Sequence, residues 1–219
     1  PGNPHRIEGA GGAASRSFAP LVRYGRPSEA AAIRAGRGLL DPAKAFVGST
    51  DFVLVTTATG FDPVPTSDEA LPAALWIHLR TIDGVDPIVS LGELALLDSP
   101  PIALGFTVSA PSGERSAAVS YPLPIPADPS LAGAVMLFQF GFERMGSIVV
   151  SDVFGTSLRD VGEAARGAAT APRNGATGWL TRLPSERSSI HSAAMQWVRS
   201  LDASSRTVAD RMYREMRSR

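Results

Sequence analysis

The chain contains no cysteine in 219 residues, one lysine (Lys44), two asparagines (Asn3 and Asn174) and three histidines. The missing thiols exclude disulfide scaffolds, thiolate zinc sites and iron–sulfur clusters. The histidines His5, His78 and His191 lie in three separate stretches with no paired spacing, so no histidine metal site is expected. With a single lysine there is no Ser-x-x-Lys dyad, and no Gly-x-Ser-x-Gly elbow occurs either. Gly9–Gly12 lack a preceding strand and a following Gly-Lys-Ser/Thr, so they do not read as a phosphate loop. No catalytic, cofactor-binding or metal-binding residues are therefore expected, and the chain does not read as an enzyme. No run approaches the ~18–20 apolar residues of a membrane span, and no signal-peptide succession is seen. A start at Pro1 is compatible with methionine removal or upstream processing, which leaves compartment and export open.

What is present is enough for a folded core: 44% of residues are hydrophobic and 19% are charged. The formal net charge is zero, but it is unevenly distributed. Residues 1–46 carry seven basic and three acidic side chains, residues 47–162 four and thirteen, and residues 163–219 ten and five. Two basic ends flank an acidic middle. Such asymmetry suits contact with an anionic partner, whether nucleic acid, a membrane surface or the acidic body of a neighbouring subunit.

Residues 1–46 read as an extended basic arm. The run Gly9-Ala10-Gly11-Gly12-Ala13-Ala14-Ser15 has no hydrophobic period and high conformational freedom. One short helix is expected from Pro27 to about Ala35, capped by Ser28 and stopped by Gly36 and Gly38. Arg16, Phe18, Arg23, Tyr24 and Arg26 mix charge with apolar or aromatic anchors, a combination suited to docking on another protein. On nucleic acid the same residues would supply phosphate contacts and stacking.

Residues 47–162 read as an all-β core, a sandwich or jelly roll of about seven strands. The expected strands are Asp51–Thr57, Ala74–Ile82, Ile88–Leu96, Ile102–Ser109, Ala117–Leu123, Ala132–Phe142 and Ser147–Phe154, separated by Asp-Pro, Asp-Gly, Pro-Pro and Pro-Ser-Gly signals. No long amphipathic helix intervenes, which argues against a parallel βαβ sheet. Pro122, Pro124, Pro126 and Pro129 cannot supply the ladder donors of a central strand, so this segment should be an extended crossover or an edge. The apolar run Leu131–Phe140 should be buried on both faces, with Gln139 needing a partner. Asp62, Asp68, Glu69, Asp83 and Asp86 are turn acids that could converge on calcium, although no EF-hand spacing is present.

The stretch Ser120–Phe140, about a tenth of the chain, resembles a pattern of secreted bacterial β-sandwich modules. Ala, Ser and Pro make up about a third of the residues, a composition similar to that of the Pro-Ala-Ser-rich coat proteins of fungal viruses. Those resemblances imply a β-sandwich body and an assembly role.

A short helix is expected from Ser157 to Ala168, and residues 163–184 read as a linker in which Asn174-Gly175 signals a turn. Residues 185–219 read as an amphipathic helical tail. Its apolar positions Ile190, Ala194, Trp197, Leu201, Val208 and Met212 form a heptad-like seam, with a break allowed near 202–205. Together with the arm residues, Ile190, Trp197, Leu201, Val208 and Met212 are the expected partner-binding positions. The function expected is a non-enzymatic assembly subunit, coat-like or scaffold, bound to other protein subunits in a homo- or hetero-oligomer. The alternatives are an extrinsic subunit of a bacterial membrane complex, a nucleic-acid-coating protein, and a ligand- or carbohydrate-binding sandwich.

Overall fold

A computed structural model describes residues 22–24, 33–79, 101–162, 184–201 and 206–217. Among them, ten strands form two antiparallel sheets, and two helices follow. The strands are β1 (Val22–Tyr24), β2 (Arg34–Ala35), β3 (Leu39–Leu40), β4 (Val53–Thr59), β5 (Glu69–Leu79), β6 (Ile102–Ala110), β7 (Ser116–Pro122), β8 (Val135–Arg144), β9 (Ser147–Val150) and β10 (Phe154–Ser157). The helices are α1 (Pro184–Ser200) and α2 (Arg206–Arg217).

The first sheet runs β1-β9-β8-β5-β6, and β10 continues the edge of β8 beyond β9. In the second, β7 pairs along the whole of β4, while the short β2 and β3 share the opposite edge of β4. Alternation decides which side chains lie between the sheets. From β4 and β7 these are Leu54, Ala58, Ala117 and Val119; from β5 and β8 they are Leu75, Ile77, Phe138, Phe140 and Phe142. Phe140 stacks on both Phe142 and Phe154, with ring centroids 6.3 and 5.8 Å apart. Fully burying side chains of this size contributes about 1.5–3 kcal/mol each relative to exposure.

Unlike β4, strand β5 is buried on both faces. Its outward residues Ala74 and Trp76 join Ala103, Ile148, Val150, Ala209, Met212 and Met216 in a second apolar cluster, which α2 covers. Helix α1 instead places Ile190, Ala194, Trp197 and Val198 in the main core and packs against β5 and the turn at Pro129–Leu131. Helix α1 ends at Ser200, followed by half-buried Leu201, and residues 202–205 lie outside the described set. The two faces of the first sheet thus take one helix each.

Six of the seven expected strands fall on observed ones, and Ile88–Leu96 lies outside the described residues. The proline segment is extended, as expected. Leu123 and Ile125 are buried and donate their N–H groups to Phe52 and Ser49 at 2.9 and 2.8 Å, while Pro122, Pro124 and Pro126 are exposed. Several boundaries differ. Ser147–Phe154 is two strands, because Ser151–Val153 break the ladder. Ser157 ends β10 rather than capping a helix; Val161 and Gly162 are helical, and residues 163–183 lie outside the described set.

The largest difference is at the N-terminal side. Of the helix expected over 27–35, residues 33–35 are described, and there Arg34 and Ala35 form strand β2, paired with Thr59 and Ala58. Ile33, Ala35, Leu40 and Ala45 are buried in the main core, so the two-sheet body starts by residue 33 and not at 47. Tertiary pairing with β4 overrides a weak local helix signal here.

Candidate functional site

The N-terminal segment meets the two-sheet body at the outer edge of β9. There Val22, Arg23 and Tyr24 lie in antiparallel register opposite Val150, Val149 and Ile148. Strand β9 is fixed by the β8–β9 hairpin, whose two-residue turn holds Met145 at φ 51° and Gly146 at φ 75°. Positive φ at both positions matches the twist of the flanking strands. Met145 is 67% exposed at its tip.

Just beyond the arm's pairing positions the edge carries a bulge. Val150 lies opposite Gly141 and Phe154 opposite Phe138, so Ser151, Asp152 and Val153 face only Gln139 and Phe140. One extra residue of this kind bends the strand and redirects a side chain. Ser151 holds the bulge in place: its N–H donates to the Phe140 carbonyl at 2.9 Å, and its Oγ accepts from Phe140 N–H at 3.0 Å and donates to the Asp152 carbonyl at 2.7 Å. Gln139 Nε2 donates to the Ser151 carbonyl at 2.9 Å, which supplies the partner the sequence demanded, and its Oε1 is buried without one. Asp152, 2% exposed, turns across to the second sheet, where Oδ1 accepts from the Gly38 N–H at 2.8 Å. Its Oδ2 is buried without a partner among the described residues. Burial pushes this carboxyl up to about 6, against the Gly38 N–H and the charge of Arg37, which hold it down.

A second polar feature lies where the 60–69 loop meets Arg144. The Arg144 guanidinium, 3% exposed, forks onto Glu69, with Nε and Nη2 donating at 3.1 and 2.8 Å, and stands 5.3 Å from the Phe61 ring centroid. Pro63 to Glu69 and Arg144 line an open recess of about 360 Å³. Two of the acids considered for calcium have other work here: Glu69 pairs with Arg144, and Asp68 accepts from the Ser112 N–H at 3.0 Å. Asp83 and Asp86 lie outside the described residues, among which no three His, Asp or Glu side chains converge. His78 is buried within the first sheet.

The expected partner-binding positions divide into three groups. Arg16, Phe18 and Arg26 lie outside the described residues, and Arg23 and Tyr24 lie on β1. Ile190, Trp197 and Met212 are buried, at 6%, 7% and 0% exposure, against the chain's own sheets, and Leu201 packs beside them. Val208, at 36% exposure, faces outward. The seam is therefore an internal packing face in two registers, one for each helix, and not a single stripe turned towards a neighbour. The break after Ser200 shifts the phase, so α2 buries Ala209, Met212 and Met216 and rotates Val208 away. Sequence reasoning missed Asp152, because an acid in a β-rich stretch gives no local sign of a bulge. Comparison with family models, curated proteins and solved structures gives no match. No helix among the described residues is long and apolar enough to cross a membrane.

Proposed function

We propose that the chain is a non-enzymatic assembly subunit: a β-sandwich body whose basic N-terminal arm is the element offered to neighbouring copies. The supporting observation is the pairing of Val22–Tyr24 with β9. A strand edge presents unpaired N–H and C=O groups to any extended chain, and here the group that meets it comes from the arm. Eight residues separate Tyr24 from Ile33, a length that extends to at most about 30 Å. An acidic body and a basic arm attract each other equally well within one copy or between copies. The terminal helices are not offered as connecting elements in this reading, since Ile190, Trp197 and Met212 are buried against the chain's own sheets.

Native mass measurement over a range of concentrations tests this directly. The full chain, 22.9 kDa per copy, should give multi-copy species, and a version lacking residues 1–32 should give single copies that still unfold cooperatively. A full chain that remains a single copy at every concentration overturns the proposal.

A ligand-binding reading rests on the recess beside Arg144. A rise in melting temperature with small carboxylates, which would compete with Glu69 for the guanidinium, lost in Arg144→Met, would favour it over assembly.

A further inference from the structure

The N-terminal segment meets the β9 edge and its bulge at two places. Val22 pairs with Val150, two positions before Asp152, and the connection between β2 and β3 returns to place the Gly38 N–H on Asp152 Oδ1. Gly38 is glycine for a steric reason: a Cβ there would fall inside the van der Waals envelope of the Phe154 ring. The connection is thus pressed against an aromatic of the main core on one side and joined to a buried carboxylate on the other. One side chain ties the root of the arm to the end of its seat.

We infer that the Asp152–Gly38 contact is a proton-dependent latch on the β9 edge: neutral Asp152 keeps the bulge and the β2–β3 connection together, and its ionisation loosens them and opens the edge to the arm of a second copy. The inference rests on the assembly reading above for its consequence, but the latch itself stands on local geometry. When the carboxyl ionises, the Gly38 N–H and Arg37 hold the charge more strongly, but Oδ2 becomes a buried anionic oxygen with no donor among the described residues, and the cost of burying that charge outweighs the gain. Among the described residues, the charged group bearing on it is Arg37, exposed on the β2–β3 connection; Ser151, Gly38 and Phe154 around it do not titrate. In the opened form the carboxyl meets water and returns to its ordinary acidity. Opening therefore becomes easier as pH rises from 4 through 6, and between pH 5 and pH 7.5 its population should rise about tenfold.

Amide hydrogen exchange at Gly38 and at Ser147–Val150, corrected for the intrinsic pH dependence of exchange, reads the latch in the full chain. The expected result is about tenfold less protection at pH 7.5 than at pH 5 in the native sequence and no difference in Asp152→Asn, which keeps an acceptor for the Gly38 N–H. Equal protection at the two pH values in the native chain, or an undiminished change in Asp152→Asn, overturns the latch. If Asp152→Asn fails to fold, carbon-detected titration of Asp152 in the native chain decides: a midpoint near 6 supports the latch and one near 4 overturns it. Sedimentation of the same samples separates the two ideas. A latch that opens in a chain that stays single-copy defeats the assembly reading alone, whereas assembly with pH-independent protection defeats the latch alone.

Discussion

The indole of Trp76, on β5, donates a hydrogen bond from Nε1 to the backbone carbonyl of Ala209 at 3.3 Å, and so fastens α2 to the outer face of the first sheet. Trp76 is fully buried, and its ring lies over Gly141 on the neighbouring β8, where a Cβ would clash with Cζ3 and Cη2. Large and small residues on adjacent strands thus make the groove that α2 fills. Trp76→Ala should cost about 3–5 kcal/mol, and Trp76→Phe should cost less but still remove the bond to Ala209. Gly141→Ala should cost about 1–3 kcal/mol through overpacking. Chemical denaturation of the three variants checks the order.

Met212 and Val208, both assigned to one seam by spacing, should separate sharply. Met212→Asp buries an unpaired carboxylate among Trp76, Ala209 and Met216 and should destabilise by several kcal/mol. Val208→Asp, at an exposed position, should stay within about 0.5 kcal/mol. Equal losses in thermal or denaturant unfolding would mean that α2 is rotated from the packing described.

Arg144 and Glu69 should show the asymmetry of a half-buried ion pair. Glu69→Ala removes a counter-charge, itself about a third exposed, from the guanidinium enclosed over Phe61 and should cost about 1.5–3 kcal/mol. Replacing both, Glu69→Leu with Arg144→Met, should cost less than Glu69→Ala alone. A double variant as unstable as the sum of the singles would show that the two residues act independently.

The pH profile of stability should carry the mark of Asp152. Its folded-state acidity, pushed up to about 6 by burial, lies above the ordinary value of 3.8. The folded state therefore holds a proton that the unfolded chain has released, and that advantage is lost as pH rises from about 4 through 6. The loss amounts to about 3 kcal/mol. Asp152→Asn should flatten the profile over this window and be more stable than the native chain at pH 7. A native profile that is already flat between pH 4 and 7 would contradict the shift.

Truncation locates the start of the folded body. Removal of residues 1–32 should preserve cooperative unfolding, since Ile33 and everything buried after it remain. Removal of residues 1–45 takes away β2, β3 and the buried Ile33, Ala35, Leu40 and Ala45, and should abolish it. Cooperative unfolding of the shorter chain would show that the second sheet is complete without β2 and β3.

The sequence by itself determined the β-rich class, the positions of most strands and the irregular course of the proline segment. These depend on period-two alternation and on prolines that cannot donate, both of which are local properties. It also marked the C-terminal helical tail, which the structure shows as two helices, Pro184–Ser200 and Arg206–Arg217, with residues 202–205 outside the described set. Tertiary structure decided where those apolar faces go. The seam that reads as a surface for a neighbour instead turns inward, Ile190 and Trp197 to the main core and Met212 to Trp76, because hydrophobic spacing states that a face must be buried and not what buries it. Two-residue strands such as Arg34–Ala35 and Leu39–Leu40 carry no periodicity and exist because β4 has an open edge to pair with. The bulge that hides Asp152 depends on the register of β8 against β9 and β10, a relation between distant residues that no local pattern encodes.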